Sequence, residues 1–375
     1  MSSPRLAIGL VRRGHSETGG AEAYLKRLGR GLSEAGHPVR LFTDAAWPAG
    51  EWPWGPMTRL RGDTALRFAD EIERSEAKHQ VDLLLSLDRI WKCDVYRAGD
   101  GIHQAWLQHR AAASSFPRRL LVRFNPKHRE TLELEESLFR GGARRVIANS
   151  EMVKREAQAS YGYPAEQIDV VPNGVPLAEF RPDPEMRRVH RKILRLREDE
   201  IAVLFVGSGW ERKGLRFAIK AVKSLGKNFR LLVAGRGRRQ IARSRFVQRL
   251  GPVRDLPPLY AAADLFLLPT LYDPFSNACL EALAAGLPVI TTRQNGCSEI
   301  MEQNVHGTIL DHPSDISEIR QALLSWSDPL RRDQARPAII ERASHFDISA
   351  NVARTLEVLH HLAKADAVSG KIRNT

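Results

Sequence analysis

The stretch ADLFLLPTLYDPFSNACLEALAAGLPVI, residues 263–290, decides the fold of this chain. Within it, Leu265–Leu268 is a short apolar run typical of a buried strand. A polar loop that carries Asp273 follows, and the next residues predict a helix that carries Glu281. After a Gly-Leu-Pro turn, Val289–Thr292 again has the composition of a strand. A strand, a helix and a second strand in this order predict a unit of parallel sheet.

The same alternation extends through the second half of the chain. Ile201–Val206 and Phe229–Ala234 are further predicted strands, and each is followed by a glycine-bearing turn and a helical stretch. The pattern begins after Arg181, with a proline-containing linker and a charged helix expected at residues 187–197. This half is therefore predicted to form a doubly wound parallel sheet with helices on both faces.

The first half of the chain repeats this organisation. Its predicted strands are Leu6–Val11, Val39–Thr43, Val81–Ser86, Val146–Asn149 and Ile168–Val171, and a helix is expected at residues 21–35. We expect an α/β protein with a first domain at residues 1–180, a second domain at residues 181–345 and a C-terminal helix at residues 346–375 that could cross back to the first domain. Because such sheets bind ligands beyond the carboxyl ends of their strands, the two sheets are expected to face an interdomain cleft.

Composition narrows the class of protein. The 375 residues are 43% hydrophobic and 27% charged, which is ordinary for a globular protein. Cys93, Cys279 and Cys297 form no Cys-x-x-Cys pair, which argues against a disulfide framework or a zinc knuckle and for a reducing cytosol. No run approaches the ~18 apolar residues that a membrane span needs. The first apolar run is expected to be a strand and not a secretory signal.

The chain carries an excess of positive charge. There are 57 Lys and Arg residues against 44 Asp and Glu residues, a formal net charge of +13. This excess favours an anionic partner, which could be nucleic acid, acidic lipid or a phosphorylated substrate. The bases are scattered over both halves and no nucleic-acid module is recognisable, which argues against a nucleic-acid partner. A basic nucleic-acid-binding protein remains the alternative of another class.

A candidate phosphate site follows the first strand of the second half. Gly207 ends that strand, and Arg212 and Lys213 open the next helix, whose first N–H groups are free to bind an anion. The alternative is a glycine turn with two solvated bases. Gly235 ends the following strand in a turn that lacks the third glycine of a dinucleotide fingerprint, so an NAD-dependent dehydrogenase is disfavoured.

Asp273 and Glu281 are candidate sugar ligands. One carboxylate in a loop and a second on the following helix can accept hydrogen bonds from the hydroxyls of a bound sugar and a ribose. The alternative is a helix N-cap at Asp273 and an exposed helical Glu281. In the first half, Asp100 and His103 are candidates for contact with the reacting sugar or the acceptor. Asp-Gly is a frequent turn pair, so Asp100 could instead be a turn residue.

The segment from Trp106 to Arg129 combines basic and apolar side chains without an acidic one. Its bases are Arg110, Arg118, Arg119, Arg123, Lys127 and Arg129. This composition suits an anionic bilayer surface, where Arg118, Arg119, Arg123 and Lys127 are predicted to face the membrane. The alternative is a solvated basic face over a stripe of core residues.

The motifs resemble those of the family 4 retaining glycosyltransferases, which have the GT-B fold. The Glu-x7-Glu pair of that family corresponds to Asp273, one methylene shorter, and Glu281. Four further motifs occur in the family's order, and the resemblance covers nearly the whole chain. They are Gly19-Gly20-Ala21-Glu22, Asn149-Ser150-Glu151, Val171-Pro172-Asn173-Gly174-Val175 and Arg212-Lys213-Gly214.

The resemblance implies two Rossmann-like domains and transfer of a hexose from a nucleotide sugar, with Arg212 and Lys213 neutralising the departing diphosphate. Glu281 would hold the ribose, and Asp273 would hold the donor sugar with the backbone N–H groups of Phe275 and Ser276. The residues implied for the donor are Gly19, Gly20, Gly207, Arg212, Lys213, Gly235, Asp273, Phe275, Ser276 and Glu281. Those implied for catalysis are Asp100, Arg212, Lys213 and Asp273.

On the acceptor side, the resemblance implies Glu22 and His103, and the glycine pair would let the backbone approach the phosphates or the acceptor. The chain contains no Asp-x-Asp motif, so neither a metal ion nor another cofactor is expected. Positive side chains and a helix N-terminus would then take the place of the metal.

Within the family, the chain most resembles the lipopolysaccharide-core glucosyltransferases. That resemblance implies UDP-glucose as donor, a heptose on a phosphorylated glycolipid as acceptor, and a peripheral position on the cytoplasmic face of an anionic inner membrane. One alternative is a family 4 enzyme with another donor sugar or with a non-lipid or oligosaccharide acceptor. Another is a catalytically inactive transferase, which the shorter side chain of Asp273 suggests.

Overall fold

The chain folds into two compact units. The computed structural model describes residues 5–17, 19–112, 125–237 and 244–368. One unit comprises Met1–Pro172 and Ile348–Thr375, and the other comprises Asn173–Asp347. The chain therefore leaves the first unit before Arg181 and returns to it after Asp347.

The first unit is built on a seven-stranded parallel sheet. Its strands are β1 Ile8–Val11, β2 Val39–Thr43, β3 Met57–Arg59, β4 Leu83–Ser86, β5 Cys93–Ala98, β6 Ala143–Ala148 and β7 Ile168–Val170. They are ordered β3-β2-β1-β4-β5-β6-β7. The order reverses direction between β1 and β4, and the loops that follow these two strands meet at the edge where doubly wound sheets bind ligands.

Helices cover this sheet. They are α1 Gly20–Glu34, α2 Ala65–Arg74, α3 His103–Ala112, α4 Pro126–Ser137 and α5 Glu151–Tyr161. Short helical turns lie at Ala49–Glu51, Ala77–His79, Leu138–Gly142 and Ala165–Gln167. The helix α1 buries Tyr24, Leu25, Leu28 and Leu32 in the core, because their spacing places them on one face.

The second unit is built on a six-stranded parallel sheet, ordered β10-β9-β8-β11-β12-β13. Its strands are β8 Ile201–Val206, β9 Phe229–Ala234, β10 Val247–Gly251, β11 Leu265–Leu268, β12 Val289–Thr292 and β13 Gly307–Leu310. Its helices are α6 Pro184–Ile193, α7 Leu215–Ser224, α8 Pro257–Ala262, α9 Asn277–Ala284, α10 Ile316–Ser325 and α11 Pro329–Ser344, with a helical turn at Gly296–Ile300. Residues 262–292 are buried except for Asn277 and Ala278, so the stretch that predicts the fold also forms the centre of this unit.

The last helix, α12 Ile348–Val368, belongs to the first unit. It packs against α1, where the Tyr24 hydroxyl donates a hydrogen bond of 2.9 Å to Asn351. Near its other end, Arg144 forms an ion pair with Asp366. None of the helices in the described part of the chain is both long and apolar enough to cross a bilayer.

The two parallel sheets confirm the predicted α/β architecture. The sequence analysis gives no bounds for β3, β5, β10 and β13. The bounds of β5 are hard to read from the sequence, because this strand buries Asp94 and Arg97 among its apolar residues and so lacks a continuous apolar run. The helix expected at residues 187–197 is observed as α6, which begins at Pro184 after the N-cap Asp183 and ends at Ile193.

Candidate active site

Two glycine turns lie side by side at the strand ends of the second unit. Gly214 precedes α7 with a φ of +73°, and a Cβ atom there would lie 1.8 Å from the carbonyl oxygen of Pro269. Gly235 follows β9 with a φ of +120°, and a Cβ atom there would lie 2.2 Å from the carbonyl oxygen of Gly207. Larger residues would therefore push the loop after β8 away from Pro269 and from the turn after β9.

Arg212 and Lys213 directly precede Gly214 and contact the loop after β11. The Arg212 guanidinium donates a hydrogen bond of 3.0 Å to the carbonyl oxygen of Tyr272, and the Arg212 carbonyl accepts one of 2.9 Å from the Thr270 hydroxyl. Lys213 forms an ion pair with Asp273, and both side chains are largely buried. The structure thus brings the two predicted bases together with the first predicted carboxylate.

The loop of residues 273–277 is fixed by backbone hydrogen bonds to residues 294 and 296. The Asp273 amide donates to the carbonyl of Gln294 at 2.8 Å, and the Gly296 amide donates to the carbonyl of Asp273 at 2.9 Å. The N-cap of α9 is Ser276, whose hydroxyl accepts a hydrogen bond from the Cys279 amide. Asp273 is therefore not the helix cap that the alternative interpretation assigned to it.

Asn295 is a buried residue of this loop cluster that the sequence analysis did not identify. Its side-chain oxygen accepts hydrogen bonds of 3.1 Å from the amides of Ser276 and Cys297. Its side-chain nitrogen donates to Thr291 Oγ1 at 2.9 Å and to Cys279 Sγ at 3.2 Å. The Ser276 amide, predicted to contact the donor sugar, is thus engaged within the protein. In the sequence, Asn-Gly indicates only a turn.

Glu281 is buried on α9 and is only 5% exposed. Its carboxylate accepts a hydrogen bond of 3.0 Å from the Tyr260 hydroxyl. After Asn295, Tyr260 is the second residue here that the sequence analysis did not identify. Phe275 is also buried, and its carbonyl accepts a hydrogen bond of 3.2 Å from the side chain of Asn173, which also donates to Asn277 at 2.7 Å. The exposed helical glutamate of the alternative interpretation is not observed.

The first unit has its own cluster of predicted residues, centred on Arg12. This guanidinium donates to the Asp100 carboxylate at 3.0 Å and to the carbonyl of Leu87 at 3.3 Å, and it lies 3.6 Å from the Glu22 carboxylate. Burial lowers the pKa of Arg12, but the carboxylates of Asp100, Asp88 and Glu22 raise it further, so its net pKa lies above the usual value. The charge of Arg12 is therefore retained, although the sequence analysis did not select this residue.

The structure also places the other residues predicted for the first unit, which are Gly19, Gly20, Glu22 and Asp100. Gly19 is the N-cap of α1, and Gly20 is the first helical residue. The Glu22 carboxylate folds back over Gly19 to the helix N-terminus, where the helix dipole favours an anion. Asp100 lies in a turn closed by a 3.0 Å hydrogen bond from the Gly101 amide to the carbonyl of Ala98. Asp100 is thus a turn residue whose carboxylate is also held by Arg12.

His103 begins α3, which is held by a buried carboxylate. Glu135 is fully buried and accepts hydrogen bonds from the amides of His103 at 2.7 Å and Gln104 at 3.1 Å. Arg89 and the Tyr161 hydroxyl donate to the same carboxylate, which offsets the cost of its burial. Glu135 positions His103, but it follows no motif and was not predicted.

The His103 ring is part of a polar relay with His128 and Arg110. Arg110 contacts His128 Nε2 at 3.4 Å, and His128 Nδ1 lies 3.0 Å from His103 Nε2. Because Arg110 can only donate, neutral His128 carries its proton on Nδ1 and donates it to His103. Burial, with Arg89 and His128, lowers the pKa of His103 to about 4, although Glu135 opposes the shift. His103 is therefore neutral at pH 7.

The predicted membrane-facing bases fall mainly outside the described residues. Arg118, Arg119 and Arg123 lie there, so the structure does not place them. Lys127 is exposed in the first turn of α4, where its amide donates to the Asn125 side chain at 3.0 Å. In the residues that the structure does describe, three or more His, Cys, Asp or Glu side chains are nowhere grouped so as to hold a metal ion.

Comparison with known proteins relates both units to one class of enzyme. The family model described as Glycosyltransferase Family 4 matches residues 18–179, and the model described as Glycosyl transferases group 1 matches residues 200–328. The chain is 28% identical to the D-inositol 3-phosphate glycosyltransferase of Pseudarthrobacter chlorophenolicus, over 92% of this chain and 91% of that protein. It is 25% identical to the lipopolysaccharide glucosyltransferase WaaG of Escherichia coli (strain K12), over 88% of this chain and 90% of that protein.

Solved structures show the same fold. The crystal structure of WaaG matches with a TM-score of 0.77 at 20% identity, covering 94% of this chain and 99% of that one. The structure of Anabaena Alr3699/HepE in complex with UDP and glucose matches with a TM-score of 0.71 at 19% identity, covering 95% and 99%. With a family 4 first unit and a group 1 second unit, the chain belongs to the family 4 glycosyltransferases of the GT-B fold.

Proposed function

We propose that this protein transfers glucose from UDP-glucose to a hydroxyl group of a glycolipid acceptor such as the heptose of a lipopolysaccharide core. We propose further that the transfer retains the anomeric configuration and needs no metal ion. The observation that carries the proposal is the ion pair between Lys213 and Asp273, beside Arg212. It joins two bases suited to a diphosphate with a carboxylate suited to a sugar hydroxyl.

Donor binding would exchange contacts within this cluster. A diphosphate carries more negative charge than one carboxylate, so it would compete with Asp273 for the Lys213 ammonium group. The released Asp273 carboxylate could then accept hydrogen bonds from sugar hydroxyls. The N-terminus of α7 would add its partial positive charge to the phosphate site. Glu281, oriented by the Tyr260 hydroxyl, is suited to a ribose.

The proposed reaction breaks the bond between C1 of the sugar and the diphosphate oxygen. The acceptor oxygen forms its bond to C1 on the same face, and the departing phosphate oxygen takes the acceptor's proton. No protein nucleophile takes part in this scheme. Arg212 and Lys213 would stabilise the negative charge that develops on the leaving group. Asp100, held by Arg12, would contact the reacting sugar or the acceptor.

The glycolipid acceptor rests on the similarity to WaaG, which its name describes as a lipopolysaccharide glucosyltransferase. The basic and aromatic segment of residues 106–129 suits a position at the cytoplasmic face of an anionic membrane. A second candidate is a soluble phosphorylated polyol, because relatives named D-inositol 3-phosphate glycosyltransferase match at 28% identity. The net charge of +13 suits either phosphorylated acceptor.

A thermal-shift panel of UDP-, GDP-, ADP- and TDP-glucose, run in chelator, tests the donor. We expect a selective rise in Tm with UDP-glucose that the chelator does not diminish, because only the folded protein binds the donor. Turnover of that donor with a lipopolysaccharide-core acceptor and with D-inositol 3-phosphate then decides between the two acceptors. The absence of a shift with all four donors would contradict the proposed function.

A further inference from the structure

We propose that Asn295 is a positioning residue that sets the affinity of this enzyme for the sugar part of its donor. It would act through the loop of residues 273–277 and not by touching the donor itself. The inference rests on the proposed function, because it assigns Asp273 and its loop to the donor sugar. It adds a residue that none of the sequence motifs contains.

The Asn295 side chain uses its full hydrogen-bonding capacity. A primary amide has two donor hydrogens and two acceptor positions, and here each has a partner. The oxygen accepts from the amides of Ser276 and Cys297, and the nitrogen donates to Thr291 and Cys279. The residue is fully buried. One side chain thus connects the end of β12, the loop before α9, the first turn of α9 and the helical turn at Gly296–Ile300.

The backbone on both sides of Asn295 holds Asp273. Gln294 accepts from the Asp273 amide, and Gly296 donates to the Asp273 carbonyl. Asn295 itself forms an isolated parallel bridge with Asp273. The backbone of Asp273, which carries the carboxylate, is therefore held by the same short segment whose central side chain fixes Ser276. A shift of this segment would move both ends of the loop assigned to the sugar.

Arg212 and Glu281, which are assigned to the nucleotide, are anchored outside the loop of residues 273–277, while Lys213 pairs with Asp273 in a contact that the diphosphate would displace. Arg212 contacts Tyr272 and Thr270, and Glu281 contacts Tyr260. None of the side-chain hydrogen bonds of Asn295 described above reaches Arg212, Lys213 or Glu281. Loss of the Asn295 side chain should consequently weaken recognition of the sugar more than recognition of the diphosphate and ribose.

The test compares the binding of UDP with that of UDP-glucose by calorimetry. In Asn295→Ala, the amides of Ser276 and Cys297 lose their partner in a buried site, so the loop cannot keep its position without cost. We expect the Kd for UDP-glucose to rise about tenfold, while the Kd for UDP changes less than about twofold. Thr291→Val, which removes one acceptor of the Asn295 side chain, should change the same ratio in the same direction by a smaller factor.

Asn351→Ala is the matched control. Asn351 is also buried and hydrogen-bonded, to Tyr24 and to the carbonyl of Pro172, but it lies in the first unit. Its loss should lower Tm and leave both Kd values unchanged. An unchanged ratio in Asn295→Ala, or in Thr291→Val where the alanine variant does not fold, would overturn the inference and leave the proposed function standing. A wild-type protein that binds none of the four nucleotide sugars would overturn both.

Discussion

The two units hold their candidate site residues in different ways. In the second unit, the loop after β11 is buried and fixed by backbone pairs and by the neutral side chain of Asn295. In the first unit, the loop after β1 is partly exposed, and the side-chain contacts described for it involve charged groups. There Arg12 holds Asp100, whose side chain is 47% exposed, together with Glu22.

The two units thus illustrate two ways of holding the loops at the edge of a parallel sheet. Buried neutral hydrogen bonds fix the loop of residues 273–277 without using a charge, whereas Lys213 is paired with Asp273, which a diphosphate would have to displace. A charge cluster at a partly exposed edge depends on the guanidinium of Arg12.

The largest expected effect tests the bases of the second unit. Arg212→Ala combined with Lys213→Ala should lower kcat by about 10²–10³, because the charge on the departing diphosphate loses its stabilisation. The rate is measured as release of UDP from UDP-glucose in the presence of acceptor. Arg216→Ala combined with Lys220→Ala is the control, since it removes two exposed bases from the adjoining helix α7. Equal turnover in the two double variants would refute the phosphate assignment.

A second variant tests the charge cluster of the first unit. Arg12→Met removes the partner of Asp100 and Glu22, and we expect the free energy of unfolding to fall by about 2 kcal/mol. Arg12→Lys keeps the charge but cannot make the same set of contacts, so its loss should be smaller. Urea unfolding at low and high salt measures both.

The comparison between the units makes this prediction sharper. Salt screens charges near the surface, so the loss in Arg12→Met should shrink at high salt. The loss in Asn295→Ala, which involves neutral buried groups, should not change with salt. If both losses respond to salt alike, the two edges are not held by different forces.

The fold and the motif residues could be predicted from the sequence. Apolar runs separated by glycine turns predict the parallel sheets, and Arg212, Lys213 and Asp273 were selected because they follow strands or open helices. The structure brings these three residues into one cluster. Periodicity and strand ends are local features, which explains why the chain alone reveals them.

The residues that position the motif residues could not be predicted in this way. Glu135 lies on α4 but acts at the start of α3, and Tyr260 lies on α8 but orients Glu281 on α9. Asn295 stands in an Asn-Gly pair whose local meaning is a turn. Each of these roles depends on which elements the fold places together, and no spacing within a single element encodes that.

The smallest expected effect concerns the two histidines of the polar relay described above, His103 and His128, which lie beside Arg110. Burial keeps the pKa of His103 at about 4 in the folded protein, against about 6.5 in the unfolded chain. Between these values the unfolded chain binds the extra proton, so the free energy of unfolding must fall as the pH drops from about 6.5 towards 4. His128 contributes in the same sense, because burial and Arg110 lower its pKa as well.

His103→Gln removes one of these protonation sites and should make the fall in Tm with decreasing pH shallower. Because the His103 side chain is partly solvated, we expect a difference of about 1 kcal/mol, or about 2–4 °C in Tm. Calorimetric scans between pH 4 and pH 7 measure it, with the exposed His79→Gln as control. The relay lies among Arg89, Glu135 and Arg110. A steeper fall in Tm with decreasing pH in the variant would mean that these charges, and not the buried ring, determine the loss of stability at acidic pH. The charge-based description of the first unit would then extend to its helix α3 as well.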